Sequence, residues 1–302
     1  MTRARPRRLG PGSTVAVVAP AGPVDPEQLE RGVAVLESWG LRVELGKHVL
    51  DRHPTLPYLA GRDADRAADL VRAWCDPDID AVFCARGGYG CQRMVDLLDL
   101  DAMAAAGPKV FAGSSDVTVL HDEIGAALNL STLFAPMIAG HLFDPLAQSH
   151  LRSTLFSPES VLELIGPRTA TAGHGVASGV TVGGTLSLIV GMLGAPGAAP
   201  PPDGSILLLE DVTEKPYRVD RMLTQLLRAG WFTGVSGIAL GSWAGCGDVR
   251  PVVADLLGSL GVPMVWELGF GHCPGQLTVP LGAAAVLDAD NGTLTLDSPA
   301  LV

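Results

Sequence analysis

The apolar positions of this chain fall into two regimes. Up to about residue 145, short unbroken apolar runs alternate with stretches of helical spacing. Residues 14–18 form a β-branched run that predicts a strand buried on both faces. Pro20-Ala21-Gly22-Pro23 ends it, and Leu29, Val33 and Leu36 then recur at helical spacing before Gly40. Residues 41–45 alternate as a second strand. A Pro- and Gly-bearing loop follows, and Ala67, Leu70, Val71 and Trp74 then mark a second helix. Residues 79–84 predict a third strand, followed by the turn Arg86-Gly87-Gly88-Tyr89-Gly90 and a helix to about residue 98. A fourth strand, 109–112, runs into Gly113-Ser114-Ser115-Asp116 and a helix over 117–128; residues 131–134 predict a fifth strand.

Strands alternating with helices predict βαβ units: a Rossmann-like parallel sheet with helices on both faces. Ligands of such sheets sit outside the carboxyl ends of the strands, and both glycine-bearing turns lie there. Past residue 145 the helical signal weakens, glycines cluster at 173–184, and strand-like runs dominate (205–209, 237–240, 264–267, 277–280, 284–287 and 293–296). Two helices interrupt them, one carrying Val219, Met222, Leu223, Leu226 and Leu227 as a stripe, the other over about 249–260. The expected class is therefore α/β. It has a first domain over 1–150, a linker over 151–169 and a smaller β-rich α+β domain over 170–302.

The 302 residues are 47% hydrophobic and 18% charged, a globular composition. A net charge of -11 disfavours nucleic acid and anionic membranes as partners. The basic start, Arg3 to Arg8, reads as a frayed, solvated terminus. No apolar run approaches the roughly 20 residues of a membrane span, and no signal-peptide pattern stands at the start, so a cytoplasmic setting is expected. The five cysteines are odd in number and have no CxxC spacing, which reads as reduced thiols. There is no HExxH, no clustered His/Asp pair and no Walker or dinucleotide fingerprint, so no metal and no cofactor are expected.

Ser115 stands third in Gly-x-Ser at a strand-to-helix turn, the first half of a nucleophile elbow, although Val117 replaces the final glycine. The same residues equally describe a helix N-cap with Asp116 in the first turn. The 86–90 turn is either a tight βα connection or a backbone cradle able to offer an oxyanion N–H. Glu210 and Asp211 end an apolar strand, as a paired interior acid or a solvated one. Among seven histidines His272 is distinguished by its loop, Gly269-Phe270-Gly271-His272-Cys273-Pro274-Gly275.

Together these stretches resemble the LD-carboxypeptidase family of serine peptidases, which includes the microcin-immunity peptidases. The matching segments run in order. They are Val18-Ala19-Pro20-Ala21-Gly22; Tyr58-Leu59-Ala60-Gly61 with Asp63 and Arg66; and Ala85-Arg86-Gly87-Gly88-Tyr89-Gly90. Next come Gly113-Ser114-Ser115-Asp116-Val117-Thr118 with His121, and Gly183-Gly184-Thr185-Leu186-Ser187. The last are Leu209-Glu210-Asp211 with Tyr217, Arg218 and Asp220, and Gly271-His272 followed by Leu277-Thr278-Val279-Pro280-Leu281-Gly282. The set covers almost the whole chain. Two positions depart from the family pattern: Ser114 replaces an aromatic residue before the nucleophile, and Thr185 stands where Asn is usual.

The resemblance implies a triad of Ser115 as nucleophile, His272 as base and acid, and Glu210 as its orienting carboxylate. It also implies an oxyanion hole from the Gly88 and Asp116 N–H groups and a homodimer. The implied reaction is hydrolysis of an L,D amide in a small peptide, releasing terminal D-alanine from murein tetrapeptide during peptidoglycan recycling. Arg86, bordering the glycine turn, is the candidate binder of the leaving residue's carboxylate, or else a partner in a structural ion pair. Two other readings stand beside this one. One is a microcin-immunity-type peptidase cleaving a peptidyl- or aminoacyl-nucleotide, with Trp243 as a candidate shelf for a base. The other is a non-catalytic two-domain small-molecule binder.

Overall fold

The computed structural model describes residues 3–302. The first half runs β1 (Thr14–Val18), α1 (Pro26–Ser38), β2 (Arg42–Leu45), α2 (Asp63–Cys75), β3 (Ala81–Cys84), α3 (Cys91–Met94), α4 (Leu100–Ala106), β4 (Val110–Gly113), α5 (Thr118–Ala127) and β5 (Thr132–Phe134). These strands form a parallel sheet in the order β2-β1-β3-β4-β5, as the alternating pattern predicts. Side chains of β1 divide by parity. Val15 and Val17 face α1 through Leu29 and Leu36, while Ala16 and Val18 face α2 through Leu70 and Trp74. Burial on both faces explains why β1, β3 and β4 are unbroken apolar runs, whereas the edge strand β2 alternates and is largely exposed. Chain order reverses between β1 and β3, so the turns after those strands flank the crevice of the sheet.

The chain continues with α6 (Pro145–Phe156), β6 (Glu163–Leu164), β7 (Ala170–Thr171), β8 (Val176–Thr185), α7 (Leu186–Gly191), β9 (Ser205–Glu210), α8 (Pro216–Arg228), β10 (Gly237–Leu240), α9 (Arg250–Leu257), β11 (Met264–Trp266), β12 (Val279–Leu281), β13 (Ala284–Asp288) and β14 (Thr293–Leu296). The second sheet is mixed, in the order β6-β14-β13-β8-β9-β10-β11-β7, with β8 to β11 parallel at its centre. Strand β9 splits as β1 does. Leu207 and Leu209 pack with Val219, Leu223 and Leu226 of α8, and Ile206 and Leu208 face the other side. Residues 151–169 hold the second half of α6, then β6.

Strand β12 does not join its sequence neighbours. It pairs antiparallel with β5 and closes the edge of the first sheet. Ser131 Oγ donates to the Leu281 carbonyl at 2.9 Å and Thr181 Oγ1 to the Pro280 carbonyl at 2.6 Å, so both sheets hold it. Phe134 of β5 meets Phe270 edge-on, with centroids 5.9 Å apart, inside the apolar cluster on one face of the second sheet.

Several local expectations are corrected. The basic start is not frayed: Arg3 N–H donates to Gly282, Ala4 bridges Leu130 and Arg8 N–H donates to Val302. The single helix expected to residue 98 is α3 and a 3-10 turn, with α4 as an extra helix. Strand β8 and helices α6 and α7 were absent from the pattern. The glycines of β8 are steric: a Cβ on Gly179 would lie 2.2 Å from the Gly204 carbonyl oxygen. The five cysteines are free. No helix among the described residues is long and apolar enough to cross a membrane.

Phe134→Ala should lower unfolding free energy by about 3–5 kcal/mol, as for other large buried aromatics. Urea denaturation measures it, and a loss under 1 kcal/mol would mean that this contact between the sheets carries little of the stability.

Candidate active site

Ser115 follows β4 at the start of a one-turn 3-10 helix that leads into α5. Its φ is +58°, a left-handed conformation that costs a non-glycine residue on the order of 1–3 kcal/mol. The strained turn presents the hydroxyl at the strand's carboxyl end, as an elbow requires. Gly87 packs directly against it: a Cβ there would lie 2.8 Å from Ser115 Cβ and 3.0 Å from Oγ.

The glycine turn is itself braced. Gly22 N–H donates to the Gly87 carbonyl at 3.0 Å, joining the turns after β1 and β3. The buried Arg66 guanidinium donates to the Pro20 and Gly90 carbonyls and to Asp63. Asp116 Oδ2 accepts from Cys91 N–H at 2.7 Å, fixing the serine turn to α3. Burial pushes the Asp116 carboxyl above its usual range, against the hydrogen bonds that favour its charged form. Among the described residues, the N–H groups of Gly88 and Asp116 enter none of the turn or loop hydrogen bonds.

Glu210 ends β9 with no exposed surface. Its register partner across the parallel ladder is Thr185, the last residue of β8, whose hydroxyl donates to Oε1. Oε2 accepts from His272 Nδ1–H at 2.7 Å and from His272 N–H at 3.1 Å. That bond places the imidazole proton on Nδ1 and leaves Nε2 as a free base. Gly271 gives the approach room, since a Cβ there would lie 2.4 Å from Glu210 Oε2. Burial pulls the His272 pKa down, but the hydrogen bond and charge of Glu210, with Asp211 behind it, outweigh burial and raise it above 6.5. Asp211 caps α7 by accepting from Ser187 N–H at 2.8 Å, and burial followed by the charge of Glu210 lifts its pKa to about 6.

Ser115 and His272 line one cleft of about 320 Å³, together with Arg86, Gly88, Ser114 and Gln276. Its size suits a small molecule. Among the described residues its wall carries no Asp, Glu, Phe, Tyr or Trp, but it does carry His141. Among the described residues Arg86 makes no carboxylate pair; its Nη1 donates to the Pro23 carbonyl at 2.7 Å. Trp243 is buried, stacked on Trp266 at 6.3 Å in the core of the second sheet, and stands outside this cleft. His121 is also structural, bonded to Thr132 and the Gly113 carbonyl, with burial pulling its pKa to about 4.

The sequence does not single out Gln276 or Met137 in the cleft wall, leaves His141 ambiguous among the histidines, and gives Thr185 no task. Thr185 had a signal, its place in the glycine-rich segment; the others had none. A further correction concerns His/Asp clustering: His48, Asp51 and Asp65 converge at the surface, with His48 Nδ1 and Asp51 Oδ2 2.7 Å apart. This group lies outside the cleft lining.

Comparison with known proteins defines the class. Residues 15–135 match the LD-carboxypeptidase N-terminal domain and residues 178–287 match its C-terminal domain. The chain belongs to the LD-carboxypeptidase family. It is 59% identical to a candidate carboxypeptidase of Streptomyces coelicolor over 98% of this chain and 97% of the relative. It is 34% identical to the murein tetrapeptide carboxypeptidase of Pseudomonas aeruginosa, over 91% of this chain and 93% of that one. Its fold is that of the microcin C7 self-immunity protein MccF solved with aspartyl sulfamoyl adenosine. The TM-score is 0.88 at 23% identity, covering 99% of this chain and all of the other.

Gly87→Ala places a methyl group against Ser115 with no backbone penalty of its own. Hydrolytic activity should fall at least roughly tenfold, since misplacement by about an ångström is costly for catalysis, and overpacking should cost about 1–3 kcal/mol of stability with the fold retained. Unchanged activity would show that Ser115 is not held by this contact.

Proposed function

We propose that this protein is a serine carboxypeptidase that hydrolyses an L,D amide bond and releases terminal D-alanine from murein tetrapeptide in cell-wall recycling. The observation that carries the reading is the single cleft in which Ser115, at positive φ, shares a wall with His272, itself anchored on buried Glu210. Ser115 Oγ attacks the carbonyl carbon as His272 Nε2 takes its proton. Glu210 holds the ring and stabilises the imidazolium that forms. The N–H groups of Gly88 and Asp116 receive the oxyanion; each such donor contributes about 3–4 kcal/mol to the barrier reduction. His272 passes the proton to the leaving amine, and water, deprotonated by the same histidine, frees the acyl-enzyme.

The cleft wall supports D-alanine over a nucleobase as leaving group. It has Arg86 and two histidines and, among the described residues, none of the larger Phe, Tyr or Trp rings that make a shelf for a base. The MccF-like fold keeps a peptidyl-nucleotide as the competing substrate class. A homodimer and a cytoplasmic setting belong to the reading on the strength of the family resemblance.

A substrate panel of L,D murein peptides, L,L peptides and a peptidyl-adenylate analogue tests the assignment. Ser115→Ala should abolish D-alanine release with folding intact, and Ser114→Ala should lose far less. Full activity in Ser115→Ala would overturn the mechanism, and equal losses would place the nucleophile at the wrong serine.

The reaction needs neutral His272, so activity is lost as pH falls through its raised pKa. The acid limb of kcat/KM should have its midpoint above 6.5. Glu210→Gln removes the charge but leaves the burial, so the midpoint should move to lower pH with much reduced rate. A wild-type midpoint below 6.5 would mean that burial outweighs Glu210 at His272, and a midpoint unmoved in Glu210→Gln would contradict the role given to Glu210.

A further inference from the structure

Gln276 has no task in this scheme, yet its setting is that of a ligand contact. It lines the cleft, is 3% exposed, and its amide nitrogen has no hydrogen-bond partner. The backbone around it is fixed. Gly275 N–H donates to Asp144 Oδ2 at 2.7 Å, Leu277 N–H to the Gly269 carbonyl at 2.8 Å and Thr278 N–H to His150 Nδ1 at 3.1 Å. A buried carboxamide on pinned backbone, left without a protein partner, is matched to a group that enters the cleft.

The surroundings say which kind of group. Arg86 shares the wall with Gln276 and, among the described residues, no acidic side chain does, so the cleft favours an anion. Position says which end of the peptide. Gln276 and His272 lie on one loop between β11 and β12. His272 must hand its proton to the leaving amine, so the leaving residue rests against that loop. The carbonyl oxygen rests against Gly88 and Asp116 on the other sheet.

We infer that the Gln276 carboxamide donates a hydrogen bond to the free carboxylate of the leaving residue and selects substrates that end in one. This rests on the carboxypeptidase reading. Arg86, already committed to the Pro23 carbonyl through one nitrogen, supplies positive potential from the opposite turn. The two amide atoms of glutamine are nearly equivalent in shape, so the carboxamide can turn its N–H₂ to the ligand without repacking.

The test uses murein tetrapeptide ending in D-alanine and the same peptide ending in D-alaninamide. In Gln276→Glu, kcat/KM on the acid-ended peptide should fall roughly 10- to 100-fold, mainly through KM, as expected for a lost bond to a charged group. The amide-ended peptide should lose far less, so preference shifts toward it. In binding to Ser115→Ala, which needs no neutral His272, part of the loss should return at acid pH, where a protonated glutamic acid again donates. Gln276→Met, which removes the donor without adding charge, should show the same selective loss and guards against a misfolded Glu variant. Equal losses on both peptides, or none, would overturn the inference. Calorimetric binding of the two peptides to Ser115→Ala, with and without Gln276→Met, separates this inference from the reading it rests on. Carboxylate-selective binding that depends on Gln276, with no wild-type cleavage, would sink the reaction and keep the contact. Cleavage without such selectivity would do the reverse.

Discussion

A carboxylate with no exposed surface must be surrounded by donors, because burying a charge without partners costs far more than a domain's stability allows. Glu210 meets that demand from three directions: the hydroxyl of Thr185 beside it, and the ring and backbone N–H of His272. Each donor constrains something larger. Thr185 is where β8 must end. Gly271 must lack a side chain. The loop after β11 must fold back on the end of β9. Once these are fixed, the imidazole has one tautomer and one outward face, and its placement follows from satisfying a single buried group.

The other wall of the cleft rests on sterics rather than charge. Ser115 keeps an unfavourable backbone conformation because Gly87 packs on one side and Asp116 is tied to Cys91 on the other. The contact leaves no room for a methyl group. Arg66 carries the constraint outward by joining the Pro20 and Gly90 carbonyls beneath the turn. The two walls therefore have separate supports, and β12 sets them opposite each other by running from the His272 loop into the sheet that ends at Ser115.

The first sheet was legible because strands buried on both faces leave unbroken apolar runs, and α1 and α2 leave complete stripes. Strand β8 was not legible: its glycines and hydroxyl residues look like a loop, and the carbonyls that exclude side chains there belong to residues far along the chain. Helix α6 carried only the local signal of Asp144 before Pro145, with few apolar residues on its face. The serine turn, the glycine turn and the strand-end acid could each be seen locally. Their pairing could not, since Glu210 and His272 are 62 residues apart and nothing in spacing joins them; only the family resemblance brought them together. Gln276 was invisible because what distinguishes it is the lack of a partner, a property of the folded wall.

The antiparallel closure by β12 also has a consequence for how the protein is made. The first sheet's other strands are complete once residue 134 has left the ribosome, but its edge stays open until residue 281 has emerged. During that interval β5 presents unpaired backbone groups and the apolar ring of Phe134 to the surroundings, the kind of edge that invites wrong pairing. Nearly half of the chain's length separates the two strands of this closing pair. A pause or truncation in that window releases an unfinished edge rather than a stable half-molecule.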